Sequence, residues 1–485
     1  MVIHMSNMIL SDLSSFFFSS LSQQNRFQPL ESFQTWFENK CRPDEFRVEN
    51  VPLEQMEKWQ FDENKNRLFH ESGRFFSIEG ICVKTNFGKI SKWEQPIINQ
   101  PEIGILGIIT KVFDGIRYFL MQAKMEPGNI NTLQLSPTVQ ATKSNFSRVH
   151  QGKSPAYLEY FTGGKKTRIL LDQLQTEQGG RFFQKRNRNI IVEVSDNIDV
   201  YDDFCWLTLA ELKSMLQKDN ILNMDTRSVL SIVPLIDEGI LPYFDKIDIA
   251  TLSAINEYEI SQLGREYINS YISNNALHDI DEIISWYTSQ KVIFELDVTK
   301  KPLSQLQGWK INKDSIYSEK DFFSVIGVKV NAGTREITHW MQPLIWEPNI
   351  GLLAFITKKI NGIQHFIVQA KVEPGNKDII ELHPTVSCSN YLNVAKKEHK
   401  PFMFDEIFNT DNIVHFDSLQ SEEGGRFYKV QRKNMIVELV CTSEQQLPDN
   451  YIWMTLRQMN EFMRYGMFSI EARSIISAIN FTDNL

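Results

Sequence analysis

The chain has 485 residues, 42% of them hydrophobic and 12% aromatic, which is enough apolar material for a large core and too much for a disordered protein. At about 150 residues per domain it is long enough for two or three domains. Acidic residues outnumber basic ones 60 to 51, so the net charge of −9 disfavours a nucleic-acid partner while leaving room for a local pocket that takes one small anion.

Residues 1–27 read as an N-terminal extension. Its Phe16-Phe17-Phe18 run follows Asp12 and has no basic segment before it, so it does not read as a signal peptide. From residue 28 the text changes to short apolar or alternating runs broken by Gly, Pro, Asn and Asp. These predict strands at 75–84, 103–111, 116–126 and 189–194. Asp114-Gly115 between two of them is a hairpin turn signal. Thr208 and Glu211 form a capping box that opens an apolar-periodic helix, and a second short helix follows around 227–232. The unit 28–235 is therefore α+β with an antiparallel or mixed sheet and helices late in the sequence. Residues 236–277 read as a linker, and residues 278–485 repeat the first unit.

The repeat is explicit. Phe75-Phe76-Ser77 returns as Phe322-Phe323-Ser324, Trp93-x-Gln95-Pro96 as Trp340-x-Gln342-Pro343, and Pro137-Thr138-Val139 as Pro384-Thr385-Val386, all at an offset of 247 residues. Gln122-Ala123-Lys124-x-Glu126-Pro127-Gly128-Asn129 returns at the same offset as Gln369-Ala370-Lys371-x-Glu373-Pro374-Gly375-Asn376. Glu177-Gln178-Gly179-Gly180-Arg181 matches Glu422-Glu423-Gly424-Gly425-Arg426, Asn361-Gly362 matches the hairpin signal, and Thr455 with Gln458 matches the capping box. A unit of about two hundred residues is a domain and not a solenoid repeat.

Three segments can carry chemistry. Side chains two apart on a strand share a face, so Gln122, Lys124 and Glu126 project one way and Met121, Ala123 and Met125 the other. Gln369, Lys371 and Glu373 repeat that split. An amide, an ammonium and a carboxylate on one face read as the wall of a polar pocket, and the alternative is a solvated Lys/Glu surface pair. In the second segment, the paired glycines of Glu177 to Arg181 permit close backbone approach and Arg181 offers a fork for phosphate or carboxylate; a tight turn with a structural ion pair competes. The third segment gathers Asn145, Arg148, Lys153 and Tyr157, whose positive and aromatic groups are missing from 390–404 in the second unit. That asymmetry points to a diphosphate and a stacked base in the first unit, against a solvated basic loop. His383, where the first unit has Ser136, reads as a packing or hydrogen-bonding residue. The five cysteines stand singly, with no C-x-x-C pair, and the nine histidines are dispersed, so no metal site is expected and the thiols read as reduced in a cytoplasm. The longest apolar runs, such as 103–109, are far shorter than the ~20 residues of a membrane span. No phosphate-binding loop, dinucleotide fingerprint or nucleophile elbow is present.

With those residues in hand, the chain resembles the NDP-hexose 2,3-dehydratases of deoxysugar biosynthesis. The matching text is Gln122 to Asn129, Pro137 to Thr142, Tyr157 to Phe161, Glu177 to Arg181, Asp203 to Thr208 and Asn223-Met224-Asp225, with the second-unit forms through Glu471-Ala472-Arg473-Ser474. The resemblance implies tandem Nudix-like domains without Nudix hydrolase activity, usually a homodimer, acting on dTDP-4-keto-6-deoxyglucose without an organic cofactor. The expected product is a 3,4-diketo-2,6-dideoxy sugar nucleotide. The alternative is a non-catalytic tandem nucleotide-sugar-binding protein. On the dehydratase reading Lys124 and Glu126 are the catalytic pair, with Lys371 and Glu373 as equivalents. Gln122, Thr138, Gln140, Asn145, Arg148, Lys153, Tyr157, Glu177 and Arg181 are then the substrate-binding set. Arg148, Lys153 and Tyr157 argue that the first unit is the catalytic one.

Overall fold

The alternating runs become strands, and the duplication sets how they are shared out. The computed structural model describes residues 14–42, 44–142, 155–236, 240–241, 260–319, 322–333, 338–440 and 446–483. Each unit builds a seven-stranded mixed sheet. In the first, Gly104–Phe113 lies between Arg186–Glu193, which it pairs in parallel, and Ile116–Met125, which it pairs antiparallel. In the second, Gly351–Ile360 lies in the same way between Gln431–Glu438 and Ile363–Lys371. The turns joining the two hairpins fall where the sequence places them. Asp114 and Gly115 take φ of 49° and 82°, and Asn361 and Gly362 take 52° and 77°, the left-handed pairs that a two-residue hairpin turn requires. The molecule is thus α+β with a two-fold internal repeat.

Two five-stranded antiparallel sheets complete it, and each is built from both halves. Phe46–Val51 pairs with Ser324–Ala332 of the second unit, from Phe46 opposite Ala332 to Val51 opposite Gly327. Reciprocally, Leu296–Lys301 pairs with Ser77–Thr85 of the first unit. The units exchange their leading strands.

Helices cover one face of each seven-stranded sheet. Both expected capping boxes form, Thr208 with Glu211 at the start of Leu209–Leu216 and Thr455 with Gln458 at the start of Leu456–Arg464. The residues read as an extension and a linker also contain helices that belong to the cores. Ser14–Leu21 buries Phe16 and Phe17, and Gln262–Ile272 buries Tyr267 and Ile268. The two helices are held alike. Ser19 Oγ donates to the Arg117 carbonyl and accepts from the Leu209 amide, and Ser270 Oγ does the same with Gln364 and Leu456. The apolar faces of the two key strands, Met121 with Ala123 and Val368 with Ala370, meet these helices in one continuous cluster. Their polar faces are left to the other side of each sheet, where the site lies. Among the described residues no helix is long and apolar enough to cross a membrane.

Candidate active site

A cavity of about 890 Å³ opens on the polar face of the first unit's seven-stranded sheet, within the ~300–1,000 Å³ typical of small-molecule sites. Gln122, Lys124, Glu126, Thr138, Gln140 and Glu177 all line it. The strand Ile116–Met125 aims the first three because its alternate residues are spent on the core. Lys124 Nζ stands 3.1 Å from Glu126 Oε1 and donates to Gln140 Oε1 at 2.8 Å. Gln122 Nε2 donates to Asp203 Oδ2 at 2.7 Å. Thr138 is spent structurally: its hydroxyl donates to the Leu120 carbonyl at 2.5 Å and accepts from the Ile109 amide at 2.9 Å, tying two strands together.

Two expected residues lie elsewhere. Tyr157 is buried in the core with φ of 61°, donating to the Asp199 carbonyl at 2.6 Å, and burial pushes its hydroxyl up to about 12. Its ring supports Tyr201, 5.0 Å away, and it is the exposed Tyr201 that lines the cavity. Arg181 points into the second unit, where it pairs with Glu347 at 2.7 Å and lies 4.0 Å over the Phe323 ring. The cause is a reciprocal exchange of turns. Each Gly-Gly-Arg turn packs on the Pro-Gly-Asn turn of the other unit, with the Gly128 amide donating to the Gly424 carbonyl at 2.8 Å and the Gly375 amide to the Gly179 carbonyl at 2.6 Å. A Cβ on Gly128 or Gly375 would stand within 2 Å of the facing backbone, so these glycines are needed for the contact. Arg426 therefore occupies the first cavity, 4.1 Å over Phe76. Asn145, Arg148 and Lys153 lie outside the described residues; Thr142 and Pro155, on either side of that segment, both line the cavity.

The structure adds Asp225, which the sequence carries on a short helix a hundred residues from Lys124. Asn223 caps Met224–Ser231 by accepting from the Thr226 amide, and this places Asp225 against the strand. Asp225 accepts from Gln140 Nε2, and Asn223 donates to Gln140 Oε1 at 3.2 Å. Burial, with the Glu126 charge adding to it, pushes the Asp225 carboxyl up to about 6. Glu177 is pushed further, to about 8, by burial and then by Asp225. Glu177 Oε1 accepts from Asn187, while its Oε2 has no hydrogen-bond partner. A carboxyl so placed keeps its proton at neutral pH.

Small substitutions separate the two units. In the second, Arg181, Glu347, Arg432 and Glu422 form a buried ion chain with contacts of 2.7, 2.7 and 2.8 Å. In the first, Gln100 and Asn187 stand at the places of Glu347 and Arg432. Arg426 consequently donates to the neutral Gln100 at 3.3 Å, and among the described residues neither it nor Glu177 has an ion-pair partner. The first cavity thus holds a cation and a raised carboxyl that make no ion pair among the described residues, whereas in the second unit the matching groups neutralise each other.

A model of the family described as NDP-hexose 2,3-dehydratase matches residues 30–233 and 280–479. The chain is 40% identical to a dTDP-4-dehydro-6-deoxy-alpha-D-glucopyranose 2,3-dehydratase of Saccharopolyspora spinosa, over 95% of this chain and 93% of that protein. Proteins of the same name from Amycolatopsis orientalis and Streptomyces violaceoruber are each 37% identical, over 93% and 94% of this chain and 90% and 98% of theirs.

Proposed function

The chain belongs to the NDP-hexose 2,3-dehydratase family, and on that premise we propose that it eliminates water across carbons 2 and 3 of dTDP-4-keto-6-deoxyglucose, with the first unit's cavity as the active site. The observation that carries the placement is the Lys124–Glu126 pair on the wall of a cavity that also holds Arg426, which makes no ion pair among the described residues, and a Glu177 carboxyl raised by burial. The 4-keto group acidifies the hydrogen on carbon 3. Glu126 removes it, and Lys124 and Arg426 stabilise the charge that develops on the keto oxygen. Hydroxide then leaves carbon 2 with the proton of Glu177. The resulting enol ketonises to the 3,4-diketo-2,6-dideoxy sugar, taking a proton at carbon 2. No hydride moves and no electron sink is needed, so the scheme runs without an organic cofactor.

We assign the diphosphate to Arg148 and Lys153, because the described residues flanking them border the cavity. The thymine contact passes from Tyr157 to Tyr201, whose ring faces the cavity. A Nudix-like ancestry for each unit, a homodimer and a cytoplasmic location complete the reading. The test is turnover of freshly made dTDP-4-keto-6-deoxyglucose in heavy water, followed by mass spectrometry. Loss of water with one solvent deuterium at carbon 2 is expected. No loss of water would sink the activity, and a product without deuterium would sink the order of steps.

A further inference from the structure

Duplication left the second unit with a different polar cluster behind Lys371 and Glu373. His383 stands where the first unit has Ser136, Glu471 where it has Asp225, and Ser387 where it has Gln140. In the first unit these groups have partners: Ser136 donates to the Pro137 carbonyl, and Gln140 donates to Asp225. In the second unit Ser387 is too short to repeat that reach and accepts from Lys371 at 2.8 Å instead. His383 is 0% exposed, and neither of its ring nitrogens has a hydrogen-bond partner. Glu373 Oε2 and Glu471 Oε2 have none either. One ligand atom from each of the three residues lies within 4.8 Å of the others.

Leaving a buried polar group unpaired is costly, so adjacent orphans on three side chains call for a common partner. We propose that Glu373, His383 and Glu471 form a binding site for one divalent transition-metal cation of the zinc class, separate from the catalytic cavity. The donor set decides the class. One imidazole nitrogen with two carboxylates suits borderline cations such as Zn²⁺, whereas Mg²⁺ and Ca²⁺ select all-oxygen shells. A tetrahedral ion with bonds of about 2.1 Å holds its ligands roughly 3.4 Å apart, so atoms already within 4.8 Å of one another need only a small inward shift on binding. Lys371 does not occupy the place, because its ammonium is bonded to the other oxygen of Glu373, Oε1, at 2.7 Å. The ligands come from just past the end of Ile363–Lys371, from Glu381–His383 and from Ile470–Ile476, so the ion ties the ends of two strands to a helix.

The test uses the tag-free full chain, stripped with chelator, loaded with zinc chloride alone, desalted and assayed for metal by mass spectrometry. About one zinc per chain is expected, with a Tm several degrees above that of the stripped protein. His383→Ser, which installs the first unit's residue, and the near-isosteric Glu471→Gln should both fall to background zinc and lose the zinc-dependent rise in Tm. Dehydratase turnover, which belongs to the other cavity, should be unchanged in both. Cobalt loading of the unsubstituted protein gives a reading that does not depend on a variant folding, since ligation should produce a visible d–d absorption. A stripped protein that retains no zinc and shows no cobalt band, or a folded variant that still retains one zinc, would overturn the assignment.

Discussion

Lys124 and Glu126 illustrate how one strand face becomes a site. Their contact of 3.1 Å is buried enough that neither group is solvated freely, and Gln140 fixes the ammonium from the far side. Replacing either by Ala should lower turnover by at least ~100-fold, the usual contribution of a positioned acid or base, while circular dichroism shows a folded protein. Lys371→Ala and Glu373→Ala should leave turnover close to normal, and the reverse pattern would move the active site to the second unit. Glu177 supplies a pH test. Its folded-state carboxyl is raised, so it is protonated below about 8 and loses its proton above that value. Activity that needs the protonated form should fall on the alkaline side through that range. Glu177→Gln should be slow at every pH and should lack that alkaline limb; an unchanged limb would assign it to another group. The Lys/Glu face was legible because strand alternation is local. Asp225 was not, because nothing in a helix cap a hundred residues away announces which strand it will meet.

At the level of elements, the Gly-Gly-Arg turns show where local reading stops. Hairpin turns and capping boxes formed where the text placed them because each is specified by a few adjacent residues. The two Gly-Gly-Arg turns are nearly identical, as are the Pro-Gly-Asn turns that receive them. No local pattern therefore says whether a turn packs within its own unit or across to the other. The structure crosses them, and this separates the two arginines by role. Arg181→Gln leaves the buried Glu347 with one cation fewer and should destabilise the fold by about 3–5 kcal/mol, read as a lower denaturation midpoint, with little effect on kcat. Arg426→Gln removes no ion pair, so stability should hold while kcat/KM falls by ~10²-fold or more. Equal effects of the two substitutions on kcat/KM would show that the exchange of turns does not divide their roles. Tyr157 follows a related logic: a ring beside Arg and Lys in the text can equally be the buried prop for a neighbour, and here it supports Tyr201.

For the whole molecule, exchange is the organising feature, and it makes the two units one folding problem. Phe46–Val51 completes a sheet of the second unit and Leu296–Lys301 a sheet of the first, each through a six-residue antiparallel register. A fragment holding one unit would carry one strand with no sheet to join and one sheet with an open edge, the arrangement most prone to intermolecular pairing. It would also lack a wall of the active site, since Trp340, Gln342, Glu423 and Arg426 of the second half line the first cavity. Fragments 1–241 and 242–485 produced separately should therefore aggregate or fail to melt cooperatively, and neither should turn over substrate. Produced together, they should associate into a single species by size-exclusion chromatography and recover turnover, because every exchanged strand and turn finds its partner without a covalent link. The informative contrary result is a first fragment that melts cooperatively and dehydrates the substrate unaided. That would mean the exchanged elements add stability to a cavity whose chemistry the first unit completes alone, and it would remove Arg426 from the mechanism together with the argument that Gln100 and Asn187 leave it free.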